Sequence, residues 1–212
     1  MEISASTVKE LRERTGAGMM DCKKALTETK GNLDEAIEYL RKKGLSAAAK
    51  KAGRATSEGV IGSYVHSNGK VAVLVEVNCE TDFVARNENF QSFVKDLAMH
   101  IAAAAPVSVS PTDMPVEYIN KEKEILLAQM KEDPKMAGKP QAVLDKVLEG
   151  KVQKIYEEQC LMNQKFVKDQ DLTITALLNK TVATIGENVS VTRFTRYVLG
   201  ETAKKTESQE LN

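Results

Sequence analysis

Asn78-Cys79-Glu80-Thr81-Asp82-Phe83-Val84-Ala85-Arg86-Asn87 is the stretch on which the reading of this sequence turns. The run before it, Val71 to Val77, is strongly apolar, and from Phe90 onward apolar residues recur at helical spacing. The stretch therefore sits where a strand gives way to a helix. It crowds a carboxylate, an aromatic ring, a guanidinium and two asparagines into one turn. Loops held by a rigid scaffold are where binding groups concentrate. Residue types alone leave two readings open. Either Phe83 and Val84 fold inward and Asp82 merely starts a turn, or the loop presents its aromatic to a partner.

Working outward, Ser67-Asn68-Gly69-Lys70 separates a strand from Gly59, ending near Tyr64 and His66, from the run at Val71. Asn-Gly between apolar runs predicts a hairpin. The second strand is apolar on both faces until Glu76, which predicts a central position with another strand beyond it. Val189 to Leu199 alternates in the right way to supply that strand. After the loop, Phe90, Phe93, Val94, Leu97, Ala98, Ile101 and Ala102 form one helical stripe, which should pack on the sheet and close before Pro106. The expected fold class is α+β: a small antiparallel sheet of about three strands packed with helices.

The first 44 residues read as three short helices. Ser4, Ser6 or Thr7 caps the first, which carries Val8 and Leu11 inward and ends before Gly16. The second follows Gly18, with Asp21 in its first turn and Cys22, Ala25 and Leu26 on one face, and Gly31 stops it. Asn32 and Glu35 stand at capping-box spacing before Leu33, Ala36, Ile37 and Leu40, with Gly44 expected to end that helix. Adjacent Met19 and Met20 cannot easily both be buried on one helical face: either one is core and the other merely exposed, or the pair forms an adaptable contact surface. Residues 45–58 read as a helical linker rich in small residues. Arg41, Lys42, Lys43, Lys50, Lys51 and Arg54 make a cationic cluster whose plain meaning is a solvated face. Residues 1–54 are thus expected as an N-terminal module with its linker, and 55–200 as the core domain.

Within the core, Pro106, Pro111 and Pro115 precede two amphipathic helices, Val116 to about Lys131 and Ala142 to about Glu158. Pro134, Gly138 and Pro140 separate them, predicting a protruding antiparallel hairpin over about 116–158. Residues 159–170 read as an ordered loop, followed by a helix from about Asp171 to Val182. The polar tail, 201–212, is expected to be flexible.

Composition narrows the functional classes. Among 212 residues, thirty basic and thirty acidic side chains cancel, so no global field draws the chain to nucleic acid or to a membrane. Three scattered cysteines suit reduced thiols in a cytosol, and no signal peptide or membrane-spanning run is read. Two histidines, no clustered Cys/His, no nucleophile elbow and no phosphate loop leave no catalytic constellation, so neither enzyme activity nor a cofactor or metal is expected. A cytoplasmic location follows.

Thr81-Asp82-Phe83-Val84-Ala85-Arg86-Asn87 resembles the signature of the elongation factor Ts family. Val8 to Leu26, with Thr15-Gly16-Ala17-Gly18-Met19-Met20-Asp21-Cys22, is similar to the family's N-terminal pattern. Gln159 to Asp169, Gly186-Glu187-Asn188-Val189 and Arg193-Phe194 match it further on. The resemblance covers about residues 1–200, with a single hairpin and following helix, like the family's short form. It implies a ubiquitin-associated-like N-terminal module docking on elongation factor Tu through Arg12, Met19 and Met20. It also implies that Thr81, Asp82, Phe83 and Val84 displace Mg²⁺ from that GTPase and so promote GDP release. Self-association stays open. The rival readings are a ubiquitin-associated-type adaptor, resting on the N-terminal bundle, and an RNA-associated module, resting on the cluster at 41–54.

Overall fold

A computed structural model describes residues 3–15, 17–134, 136 and 139–202. The expectations for Gly16, Gly138 and nearly all of the tail fall outside these residues. The sheet is antiparallel, with strands β1 (Glu58–Val65), β2 (Val71–Cys79) and β5 (Val189–Val198) in the order β1-β2-β5. The strand beginning at Val71 is therefore central, flanked as its sequence requires. Asn68 shapes the hairpin by accepting the Lys70 N–H on its side-chain oxygen at 2.9 Å.

One face of the sheet builds the main core. Val73, Val75, Val77 and Cys79 are buried against helix α5 (Glu88–Ala104), whose Phe90, Phe93, Val94, Leu97, Ala98, Ile101 and Ala102 form the expected stripe. The helix sits so close that a Cβ at Gly62 of β1 would stand 2.2 Å from the Val94 side chain. The other face of the sheet is turned outward. Ile61, Leu74 (49% exposed) and Tyr197 lie open there. Sheet centrality accounts for the two neighbouring strands, but only one layer of helices covers them.

Helices α1 (Ala5–Thr15), α2 (Met19–Glu28) and α3 (Leu33–Lys51) enclose a second core of Val8, Leu11, Cys22, Ala25, Leu26 and Ala36. Ser4 is the cap of α1, accepting the Thr7 N–H at 3.1 Å, and Asn32 caps α3 by accepting from Asp34 and Glu35. Gly44 does not end α3. The helix runs through it to Lys51, and the glycine is there for closeness: a Cβ would lie 3.3 Å from that of Ala183 on α8 (Ile174–Ile185). The linker expected to be helical over 45–58 is helical only as far as Lys51, as the last part of α3, and residues 52–57 are turn and coil before β1; Ala48 of the helical part joins the main core.

Beyond α5, helices α6 (Val116–Glu132) and α7 (Gln141–Gln159) pair through a small cluster around Met114, Ile119, Val152 and Cys160. The span from 159 to 173 corrects two expectations. It is a 3-10 turn (Leu161–Asn163) and a two-strand hairpin, β3 (Lys165–Phe166) with β4 (Asp169–Thr173), rather than a loop. Buried Phe166 anchors it to the main core. Consequently α8 starts at Ile174 and not at Asp171, because the Thr173 side chain accepts the Ala176 N–H and caps the helix there. His100 ties this hairpin to α5. The Val167 N–H donates to its Nδ1 at 3.3 Å, which leaves Nε2 to donate to Gln164 Oε1 at 2.9 Å.

Candidate functional site

The loop after β2 winds into a single helical turn, α4 (Asp82–Ala85). Thr81 is its N-cap: the hydroxyl oxygen accepts the Val84 N–H at 3.4 Å, and the carbonyl accepts the Ala85 N–H at 3.2 Å. Asn87 then caps α5 by accepting the Asn89 N–H at 2.8 Å, so the two helices follow each other almost without a break. Ala85 is buried and Val84 packs on the main core, which fixes the inner side of the turn. Phe83 points the other way and is 81% exposed. The alternative in which Phe83 folds into the core is thereby removed, while Val84 does turn inward.

Asp82, partly buried, stands beside Phe83 and pairs with Arg86 one turn on, at 3.1 Å. Such an exposed pair contributes at most about 1 kcal/mol and opens at little cost. Below the loop, Cys79 donates its thiol hydrogen to the Thr81 carbonyl at 3.2 Å. Burial first, and then the negative charge of Glu187, push that thiol above its ordinary pKa, so it is no ready nucleophile.

Two segments distant in sequence, at Arg54 and at Glu187-Asn188, hold the base of the loop. Thr81 donates its N–H to Glu187 Oε2 at 3.0 Å and its hydroxyl to Glu187 Oε1 at 2.8 Å. The Asn188 N–H donates to Glu80 Oε1 at 2.6 Å, and the Asn188 side chain donates to the Arg54 carbonyl at 2.8 Å. Sequence reasoning marked Gly186-Glu187-Asn188 only as part of a family pattern and gave it no role. A contact spanning 106 residues leaves no local periodicity to read.

The N-terminal candidates are also outward. Met20 is 78% exposed and Met19 45%, both on the first turn of α2, so neither is a core residue. Arg12 is exposed on α1 and lines a cleft of about 560 Å³ together with Asn89 and Ser92, on the first turns of α5. The structure thus brings Arg12 beside the helix that the loop leads into. Half of the cationic cluster is paired: Lys42 with Glu38, Lys43 with Asp21 and Arg54 with Glu80. Among the described residues, no group of three or more His, Cys, Asp or Glu side chains is placed to hold a metal ion, and no helix is long and apolar enough to cross a membrane.

Comparison with known proteins agrees with this architecture. The family model described as elongation factor TS matches residues 1–201. The chain is 60% identical over 208 residues to elongation factor Ts of Geobacter sulfurreducens, covering 98% of this chain and 94% of that protein. It is 58% identical, with the same coverage, to elongation factor Ts of Geobacter metallireducens. Elongation factor Ts of Acetivibrio thermocellus is 54% identical over 205 residues, 97% of this chain and 94% of that one. A match over almost the whole length places the chain in the elongation factor Ts family of translation elongation factors.

Proposed function

We propose that this protein is a guanine-nucleotide exchange factor that binds elongation factor Tu in its GDP form and promotes GDP release in the cytoplasm. The observation that carries the reading is Phe83, 81% exposed on a turn whose inner residues are packed and whose ends are capped. An exposed aromatic on a fixed platform is an unused contact, and little conformational entropy remains to be lost when it docks.

A translational GTPase holds its nucleotide through phosphate-cradling backbone and a Mg²⁺ ion. Phe83 enters between elements of that GTPase, while Thr81, Asp82 and Val84 shape the turn that disturbs the Mg²⁺ region. With Mg²⁺ displaced, the phosphate charge is less compensated and nucleotide affinity falls. No bond is made or broken by this protein, and no group of its own needs to ionise. Linkage requires nucleotide to weaken the factor by the same ratio, which keeps the cycle reversible.

Residues 1–54 act as the docking module in this reading, with Arg12, Met19 and Met20 as contacts, and residues 55–200 carry the loop. Methionine suits such a surface because its flexible thioether adapts to the partner. No aromatic is interleaved with the cations at 41–54 to stack bases, which favours this reading over an RNA-associated one. Release of labelled GDP from elongation factor Tu, with and without this protein, tests it.

A further inference from the structure

Phe83 is too exposed for packing to aim it, so its direction is set by the backbone of α4. The inner side of that turn is held by Val84 and Ala85, and its far end by the Gln91 side chain, which donates to the Ala85 carbonyl. Its near end begins at Thr81, and Thr81 is gripped at two points by one carboxylate. Its N–H and hydroxyl each donate to a different oxygen of Glu187, at 3.0 and 2.8 Å. Two bonds to one residue fix both its backbone and its side-chain rotamer. Charge-assisted bonds are about twice as strong as neutral ones. The lacing is reciprocal: while Glu187 holds the loop, the loop's Glu80 holds the N–H of Asn188 on the same turn, at 2.6 Å.

From this we infer that Glu187 is a positioning residue for exchange: it fixes Thr81 so that Phe83 is presented in one direction, without touching the partner itself. The inference rests on the exchange-factor reading. Docking through Arg12, Met19 and Met20 is independent of Glu187, so its loss should slow the step that the loop performs and leave encounter unchanged.

The test uses the full-length chain with Glu187→Ala and Glu187→Gln, each with and without Phe83→Ala. GDP release from elongation factor Tu gives kcat and KM, and amide hydrogen exchange at Thr81 reports the clamp in the free protein. Glu187→Ala is expected to lower kcat roughly tenfold, equivalent to about 1.4 kcal/mol, with KM within about twofold. Glu187→Gln should recover most of the loss, since its carboxamide oxygen still accepts the Thr81 N–H while the threonine hydroxyl turns to accept. In the Phe83→Ala background Glu187→Ala should add nothing, because both act through the same side chain. Thr81 amide protection should fall in Glu187→Ala. An unchanged kcat, an effect that persists undiminished without Phe83, or unaltered Thr81 protection would overturn the proposal. If Glu187→Ala fails to fold, Glu187→Asp takes its place, its shorter side chain being unable to reach both Thr81 donors; an unchanged kcat there overturns it equally. A wild-type protein that releases no GDP refutes the exchange-factor reading instead, and the amide measurement still decides the clamp.

Discussion

Replacing Phe83 with alanine separates a contact residue from a core residue. Truncating a buried phenylalanine costs about 3 to 5 kcal/mol of stability, whereas surface changes stay within about 0.5 kcal/mol. Phe83 is 81% exposed in the free protein, so Phe83→Ala should melt within a degree or two of wild type. Phe90, seven residues on and fully buried, gives the contrast: Phe90→Ala should lose the full core penalty. The surface that Phe83 leaves open remains available for burial on docking. Burying a phenylalanine side chain is worth roughly 1.5 to 3 kcal/mol, and central aromatic anchors reach about 2 to 4 kcal/mol when truncated. That corresponds to a loss of roughly 30-fold to 1000-fold in affinity for the strained complex. Stopped-flow release of fluorescent GDP from elongation factor Tu, run beside thermal melting, reads both quantities. A stably folded Phe83→Ala protein with an unchanged exchange rate would refute the role given to the loop.

Met20→Ala and Arg12→Ala should raise KM for elongation factor Tu while leaving kcat and the melting temperature near wild type, since both side chains are exposed; steady-state exchange kinetics check this. Gly62→Val should destabilise the core by at least about 1 to 3 kcal/mol, because its Cβ would collide with Val94 on α5, and denaturant titration measures the loss. Burial lowers the pKa of His100 below 6.5, although its bond to Gln164 opposes the shift. The unfolded chain therefore binds a proton that the folded one resists. Stability contributed by neutral His100 is complete above about pH 6.5 and is lost as pH falls toward the lowered folded value, at no more than about 1.4 kcal/mol per pH unit. Urea unfolding at pH 7.5 and 5.5 should show this slope in wild type and a shallower one in His100→Gln.

What the sequence made legible is what has a local period. The Asn68-Gly69 turn and the stripe from Phe90 to Ala102 were readable because every second or every third to fourth residue repeats the same instruction. The β3–β4 hairpin was missed because β3 is two residues long, too short for any period, and its anchor, Phe166, is a single buried side chain. Gly44 was misjudged for a different reason. A glycine after a helical pattern signals an end, yet here it answers to Ala183, a neighbour 139 residues away in sequence (183 − 44) that no local rule can supply. The loop itself was half legible. Its residue types announced binding chemistry and its family pattern suggested a role, but only the fold showed Phe83 outward and Glu187 beneath it.

The most direct test of the central claim is the rate at which elongation factor Tu releases fluorescent GDP as this protein is titrated in, at two fixed concentrations of free Mg²⁺. An exchange factor that works by displacing Mg²⁺ predicts release that rises with its concentration, then saturates, and is slowed again by added Mg²⁺. Release that stays at the spontaneous rate with the folded protein in excess would contradict the claim.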